Sequence, residues 1–191
     1  MSTEGHHESI PATAGIEFLR SLRQSRRFTG EPVPREVLAD LLEVARWTGS
    51  AKNSQPWEFV VVEDREMLRQ IAQAGAYAGF LEGVALAIVI VLNGTSPRSE
   101  AYDEGRVSER LMLAGRLHGL GSGTGWFSDD GSERVKALLG IPADRHVLSA
   151  VGFGYVETST QRPPVGVDLG RKPLREIVSY GTYGTRTAPG S

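Results

Sequence analysis

Apolar residues recur every three or four positions over 15–23, where Ile16, Leu19 and Leu22 share a face, and over 34–47, where Val37, Leu38, Leu41, Leu42 and Ala45 follow Pro34. This spacing predicts two amphipathic helices. The stretch 57–62 reads as a strand, and a helix is expected to start at about Asp64, a candidate N-cap, and to carry Met67, Leu68 and Ile71. The run 84–92, VALAIVIVL, is apolar on both alternations, the pattern of a strand covered on both faces. It is therefore expected in the middle of a sheet. A helix at about 99–118 mixes small residues (Ala101, Gly105, Ser108, Ala114, Gly115) with Val107, Leu111, Met112 and Leu117. Small residues at that spacing allow close approach of a second helix, in the core or in a dimer. The glycine-rich 119–127, GLGSGTGWF, leads into a strand. A short helix near 132–139, a strand at 146–156, an extension at 161–173 and a last helix at 173–179 follow. This order describes an α+β domain with a mainly antiparallel or mixed sheet.

Two segments lack a period. Residues 1–14 read as a flexible tail, and 75–83, GAYAGFLEG, as a mobile Gly-rich stretch. Residues 15–191 are expected to form one domain with a C-terminal extension, since 191 residues suffice for one core.

Charge and composition narrow the possible partners. A formal charge of −2 creates no field that would gather nucleic acid or an anionic membrane, so neither is expected as a partner. The chain has no cysteine, which excludes disulfides, thiolate metal sites and cysteine nucleophiles. The run 84–92 is far too short for a membrane span and no leader pattern opens the chain, so a cytoplasmic location is expected.

The candidate chemistry is sparse. His6 and His7 lie in the tail, His118 ends a helix as a favourable dipole partner, and His146 opens a strand, so no metal-ligand spacing arises and no metal is expected. No G-x-S-x-G elbow is present. Gly119, Gly121, Gly123 and Gly125 miss the dinucleotide fingerprint, because Trp126 fills the sixth position from Gly121 and the run follows a helix. They form either a helix cap with a tight strand entry or a stretch of bare backbone facing a flat ligand. Any catalysis is thus expected to rest on an organic cofactor.

Three polar segments are unexplained by packing: RQSRR (23–27), SAKNSQPW (50–57) and GRKPL (170–174). Arginine forks and a lysine suit a phosphate. The middle segment concentrates Ser50, Asn53, Ser54 and Gln55 where a plain reversal would use Gly, Pro, Asp or Asn.

Taken in order, these segments resemble the nitroreductase family. RQSRRFTGEPVPREVLADLLEVARW is similar to its opening R-S-x-R-x-F and acidic-Pro-Val-Pro helix, and GSAKNSQPWEFVVVED to its P-S-x-x-N-x-Q-P-W strand entry. HGLGSGTGWF and GRKPLREIV resemble its third and fourth markers. The resemblance implies a nitroreductase-like α+β fold, a central mixed or antiparallel sheet wrapped by helices, in an intertwined homodimer with FMN at the interface. It implies that Arg23, Gln24, Ser25 and Arg26 approach the phosphate, ribityl chain or pyrimidine edge of the flavin, with Arg171 and Lys172 adding to the phosphate site. Gly49, Ser50, Ala51 and Asn53 would come from the partner subunit to line the ring, and Gly125 and Trp126 would turn backbone N–H groups to it. The implied activity is ping-pong electron transfer from NADH or NADPH to a nitroaromatic, quinone or similar small acceptor. Binding of a flavin or deazaflavin with little turnover, or a specialised flavin reaction (azoline oxidation, dehalogenation, flavin fragmentation), is the alternative. Gln24 stands where the family motif has serine and Gly49 where it has proline, and the chain is short for the family.

Overall fold

A computed structural model describes residues 11–157 and 170–187, which belong to two compact units. Residues 1–10 of the expected tail and 161–169 of the expected extension lie outside the described residues.

The first unit is built on an antiparallel sheet of four strands, β1 (Trp57–Val62), β2 (Leu86–Leu92), β3 (Gly121–Trp126) and β4 (His146–Gly154), in the order β1-β2-β4-β3. Its helices are α1 (Ala12–Ser21), α2 (Arg35–Arg46), α3 (Arg65–Ala72), α4 (Pro97–Leu117) and α5 (Asp129–Leu139). Helix α1 begins at Ala12, three residues before the predicted start, so the tail reading does not extend through residue 14.

β2 sits between β1 and β4, and all seven of its residues are buried. Alternation explains why both of its faces are apolar. Leu86, Ile88, Ile90 and Leu92 pack with Leu41 of α2 and Leu111 of α4, while Ala87, Val89 and Val91 pack with Leu68 and Ile71 of α3 and Val135 of α5. Each fully buried Leu or Ile contributes on the order of 1.5–3 kcal/mol, so this strand is the centre of a three-layer core. Asp64 caps α3 as predicted, accepting from the Met67 N–H at 2.8 Å. In α4, Ser108, Ala114 and Gly115 face the core, but Ala101 and Gly105 point away from it. A Cβ on Gly115 would sit 2.9 Å from the Phe153 ring, so close packing governs only the second half of this helix.

Two expectations are corrected. Residues 119–127 do not merely lead into a strand: Gly121–Trp126 are the strand β3. The segment 75–83 is anchored, with a 3₁₀ turn over Gly79–Gly83 and with Ala78 and Leu81 fully buried, while Tyr77 stays exposed. A Cβ on Gly75 would lie 2.2 Å from the Trp126 carbonyl oxygen, so glycine there permits close approach rather than motion.

The second unit holds the short helix α6 (Leu174–Ile177), preceded directly by Arg171, Lys172 and Pro173.

Candidate active site

The glycines of β3 share one face because a strand repeats every two residues. That face is filled by protein. A Cβ on Gly121 would meet Val156 and Ser25, one on Gly123 would lie 2.2 Å from Arg26 Nη1 and 2.7 Å from the Ser25 carbonyl oxygen, and one on Gly125 would meet Leu81 at 2.9 Å. On the opposite face Ser122 and Thr124 are buried, and the Thr124 hydroxyl lies 3.9 Å from Met112 Sδ on α4. Glycine is thus required so that segments 24–28 and 78–81 can lie on the strand.

The segment 23–26 runs along the outer edge of β3. Gln24 pairs with Ser122 in a parallel bridge, the Ser25 N–H donates to the Ser122 carbonyl at 2.7 Å, and the Thr124 N–H donates to Gln24 Oε1 at 3.3 Å. Ser122 and Thr124 therefore turn their backbone groups outward, and the two-residue period puts the Trp126 N–H on the same outer edge while the Gly125 N–H points toward β4. The Phe127 N–H donates to Leu148, consistent with that parity. Of the two positions singled out by resemblance, only Trp126 has an outward N–H; Gly125 contributes the absence of a side chain. The Trp126 side chain is 53% exposed.

Arg26 is held from several sides. Its guanidinium carbon lies 4.4 Å from the Phe80 ring centroid, Nη2 donates to Gln24 Oε1 at 2.6 Å and Nη1 donates to the Ser25 carbonyl at 3.2 Å. Burial against these neighbours lowers its pKa from the usual arginine value. The cation is fixed in place and keeps an exposed side. Arg23 instead folds back on α1, where Nη1 donates to the carbonyls of Arg20 and Leu22, both at 2.7 Å.

The loop from Gly49 to Gln55 forms a second cluster. Lys52, Asn53 and Gln55 adopt φ of 54°, 54° and 47°, left-handed values that cost non-glycine residues roughly 1–3 kcal/mol each. The Gln55 N–H donates to Ser50 Oγ at 2.8 Å, and the Asn53 N–H to the Ser50 carbonyl at 3.1 Å. Both ends are pinned. Arg106 Nη1 donates to the Gly49 carbonyl at 2.6 Å, the Asn93 N–H donates to the Pro56 carbonyl at 3.0 Å, and Trp57 is buried. Between the pins Ser50 is half-buried and residues 51–55 are exposed. Among the described residues no hydrogen bond or ion pair joins this loop to the segment 23–26. Arg171 and Lys172 are exposed residues of the second unit.

Helix α4 carries three buried carboxyl groups that the sequence reading missed: Glu100, Asp103 and Glu104. Burial pushes the Glu100 carboxyl up, but the N–H groups of Ser96, Thr95 and Gly94 and the Thr95 hydroxyl outweigh it and hold the pKa below the ordinary value. Glu100 thus ties the loop before α4 to that helix. Asp103 Oδ1 lies 3.5 Å from Arg106 Nη1, and its Oδ2 is buried without a partner. Glu104 Oε1 accepts from the Ser149 hydroxyl at 2.6 Å while Oε2 has no partner. Burial raises this carboxyl to about 7, against the lowering effect of Ser149. Charged residues on a helix ordinarily mark its solvent face, which hid all three. Phe80 was equally hidden, as a lone aromatic between glycines. The i,i+3 spacing of Asp103 and Arg106 was a readable signal, diluted by the 18 arginines of the chain. His118 pairs with Asp40 at 3.1 Å at the end of α4.

Among the described residues no group of three or more His, Asp or Glu is placed to hold a metal ion, and no helix is long and apolar enough to cross a membrane. Two clusters thus stand out: a fixed cation with the outward Trp126 N–H farther along the β3 edge, and a strained, hydroxyl- and amide-bearing loop.

Comparison with known proteins matches these segments. The family model described as Nitroreductase family covers residues 19–82, which include Arg23–Arg26 and the loop 49–55. A relative from Archaeoglobus fulgidus, named "Putative NADH dehydrogenase/NAD(P)H nitroreductase", is 32% identical over 151 residues, spanning 73% of this chain and 84% of its own length. Among solved structures, one from Bacteroides thetaiotaomicron with the same description superposes with a TM-score of 0.76 at 25% identity, over 89% of this chain and 98% of that one. An FMN-dependent nitroreductase from Clostridium difficile superposes with a TM-score of 0.74 at 24% identity, over 88% and 99% of the two chains. The sheet, the ordered motifs and a relative at this identity and coverage together make the chain a member of the nitroreductase family.

Proposed function

We propose that the protein is a homodimeric FMN-dependent oxidoreductase that takes reducing equivalents from NADH or NADPH and passes them to a nitroaromatic, quinone or similar small acceptor in a ping-pong cycle. The observation that carries this reading is the Arg26 guanidinium, fixed against Phe80, Gln24 and the glycine face of β3, an edge strand whose outer edge also carries the outward Trp126 N–H. Family membership supports it, as do the printed functions of the relatives.

The residues present suit FMN. Its phosphate carries roughly −1.5 to −2 charges at neutral pH and needs cationic partners; Arg23 is one proposed partner, with Gln24 and Ser25 along the ribityl chain, and the resemblance offers Arg171 and Lys172 as further cations. FMN, when bound, supplies the hydride and electron chemistry. Arg26, already stripped of part of its water, stabilises negative charge on the pyrimidine edge, and the Trp126 N–H orients the ring. Gly49, Ser50, Ala51 and Asn53 line the ring from the partner subunit, which accounts for two clusters that a single chain does not join. Trp47, Leu117 and Trp126 are large apolar residues exposed on one chain, as expected of a surface that a second copy covers.

The test is direct. The purified protein, loaded with FMN, should be yellow, bleach on addition of NADH or NADPH, and recover colour with a nitroaromatic or quinone. A protein that cannot be loaded with FMN would refute the proposal. The competing reading, flavin or deazaflavin binding with little turnover, draws on Gln24, whose amide oxygen is committed to Arg26 and Thr124. Rapid bleaching eliminates it. Arg26→Ala should weaken FMN binding by about 1.5–3 kcal/mol, roughly ten- to hundredfold in Kd by fluorescence titration. An unchanged Kd would remove Arg26 from the site.

A further inference from the structure

A cavity of about 540 Å³ opens beside the strained loop, between Ser50 and the first turns of α4, where Ser96, Arg98, Ser99, Tyr102 and Arg106 line it. We infer that this cavity is a binding subsite for the anionic group of a substrate, lined by residues other than those proposed for the FMN phosphate. The inference rests on the reading of Ser50 and Ala51 as residues beside the flavin ring, which would put the cavity next to the reacting centre.

Its charge is the first argument. Two arginines face one aspartate, Asp103, which leaves one positive charge in the cavity. The neighbouring acid, Glu100, is buried and spends its oxygens on the N–H groups of Gly94, Thr95 and Ser96. Among the described residues Arg98 makes no ion pair and is exposed. Ser50, Ser96 and Ser99 add hydroxyl donors, the companions a phosphate or carboxylate needs around a guanidinium fork.

Preorganisation is the second argument. Arg106 is a placed cation: it donates to the Gly49 carbonyl at 2.6 Å, lies 3.5 Å from Asp103 Oδ1, and has its guanidinium carbon 5.1 Å from the Tyr102 ring centroid. Asp103 is buried at the cost of an oxygen with no partner, an expensive arrangement for helix packing alone. Its gain is a fixed Arg106. One arm of that guanidinium secures the loop, and the group as a whole lends its charge to the cavity. An anionic group bound here would meet a held cation in Arg106 and an exposed one in Arg98.

Two sources share this chemistry: the diphosphate of the nicotinamide dinucleotide and the carboxylate of an anionic acceptor. Inorganic pyrophosphate, titrated calorimetrically into the FMN-loaded protein at low ionic strength, should bind, with FMN occupying its own phosphate site. R98E should weaken this binding at least about tenfold, and R98K should restore it to within about threefold of wild type. Steady-state kinetics then separate the sources. A raised KM for NADH or NADPH in R98E identifies the dinucleotide, whereas a raised KM for 4-nitrobenzoate with that for nitrobenzene unchanged identifies the acceptor.

Pyrophosphate affinity equal in wild type and R98E, or no binding to either, overturns the subsite. So does a KM set that R98E leaves unmoved for all four compounds. The flavin reading fails separately: a protein that takes up no FMN yet binds pyrophosphate through Arg98 retains the anion site and loses only the assignment beside the flavin.

Discussion

Gly123→Ala should fold and yet release FMN, with a Kd more than about a hundredfold above wild type, because it displaces Arg26 and the Ser25 backbone together. The added methyl would sit 2.2 Å from Arg26 Nη1, 2.7 Å from the Ser25 carbonyl oxygen and 3.2 Å from Phe80 Cζ. Something must give, and the weaker side is known. β3 is paired with β4 along its whole length, from Gly121 opposite Gly154 to Trp126 opposite Ser149. The 24–25 segment is held to β3 by one backbone hydrogen bond and the Gln24 amide oxygen. The segment therefore lifts away while the sheet stays, at a folding cost of about 1–3 kcal/mol for overpacking. Circular dichroism would report the retained fold and flavin fluorescence the lost affinity. Wild-type affinity in this variant would show that segment 23–26 does not bind the flavin.

Raising the pH from 5 to 8 should destabilise the wild-type protein through Glu104, and Glu104→Gln should abolish that part of the slope. The Glu104 carboxyl is 1% exposed, and burial lifts it from an ordinary value of 4.5 to about 7. The folded state therefore holds this proton more tightly than the unfolded chain does. Its contribution to stability is complete below pH 4.5, is lost as pH rises toward 7, and reaches about 3 kcal/mol at 1.36 kcal/mol per pH unit. Denaturant unfolding at the two pH values measures it. Glutamine keeps the acceptor for the Ser149 hydroxyl and removes the ionisation, although its amide N–H inherits the unpartnered position of Oε2. The difference between pH values is thus the informative quantity, and an equal slope in both proteins would show that Glu104 is ionised in the fold without penalty.

How far the fold was legible depended on whether a residue's neighbours lie near it in sequence. β1 was predicted at its observed bounds, and β2 announced its central place by being apolar on both alternations. The Asp64 cap was readable because its partner is three residues away. The glycine strand was not, because its glycines are explained by Ser25, Arg26, Ala78 and Leu81, which are distant in sequence and meet only on the folded sheet. The same holds for Glu104, whose partner Ser149 is 45 residues away. For the site, ordered motifs named the segments 23–26 and 49–55, but the anchors Phe80 and Arg106 emerge only from packing.

Anyone breeding a more heat-resistant form of this protein will meet a conflict in the loop after α2. Glycine at Lys52, Asn53 or Gln55 would relieve a left-handed residue, and the gain in the native state offsets about 1 kcal/mol of added freedom in the unfolded chain. Each such change also frees the backbone that carries Ser50 and Asn53, so that, on the proposed flavin reading, FMN must order it on every binding event. Hardiness and ligand affinity therefore trade against each other at these positions, and variants selected only for melting temperature should drift toward weaker cofactor retention.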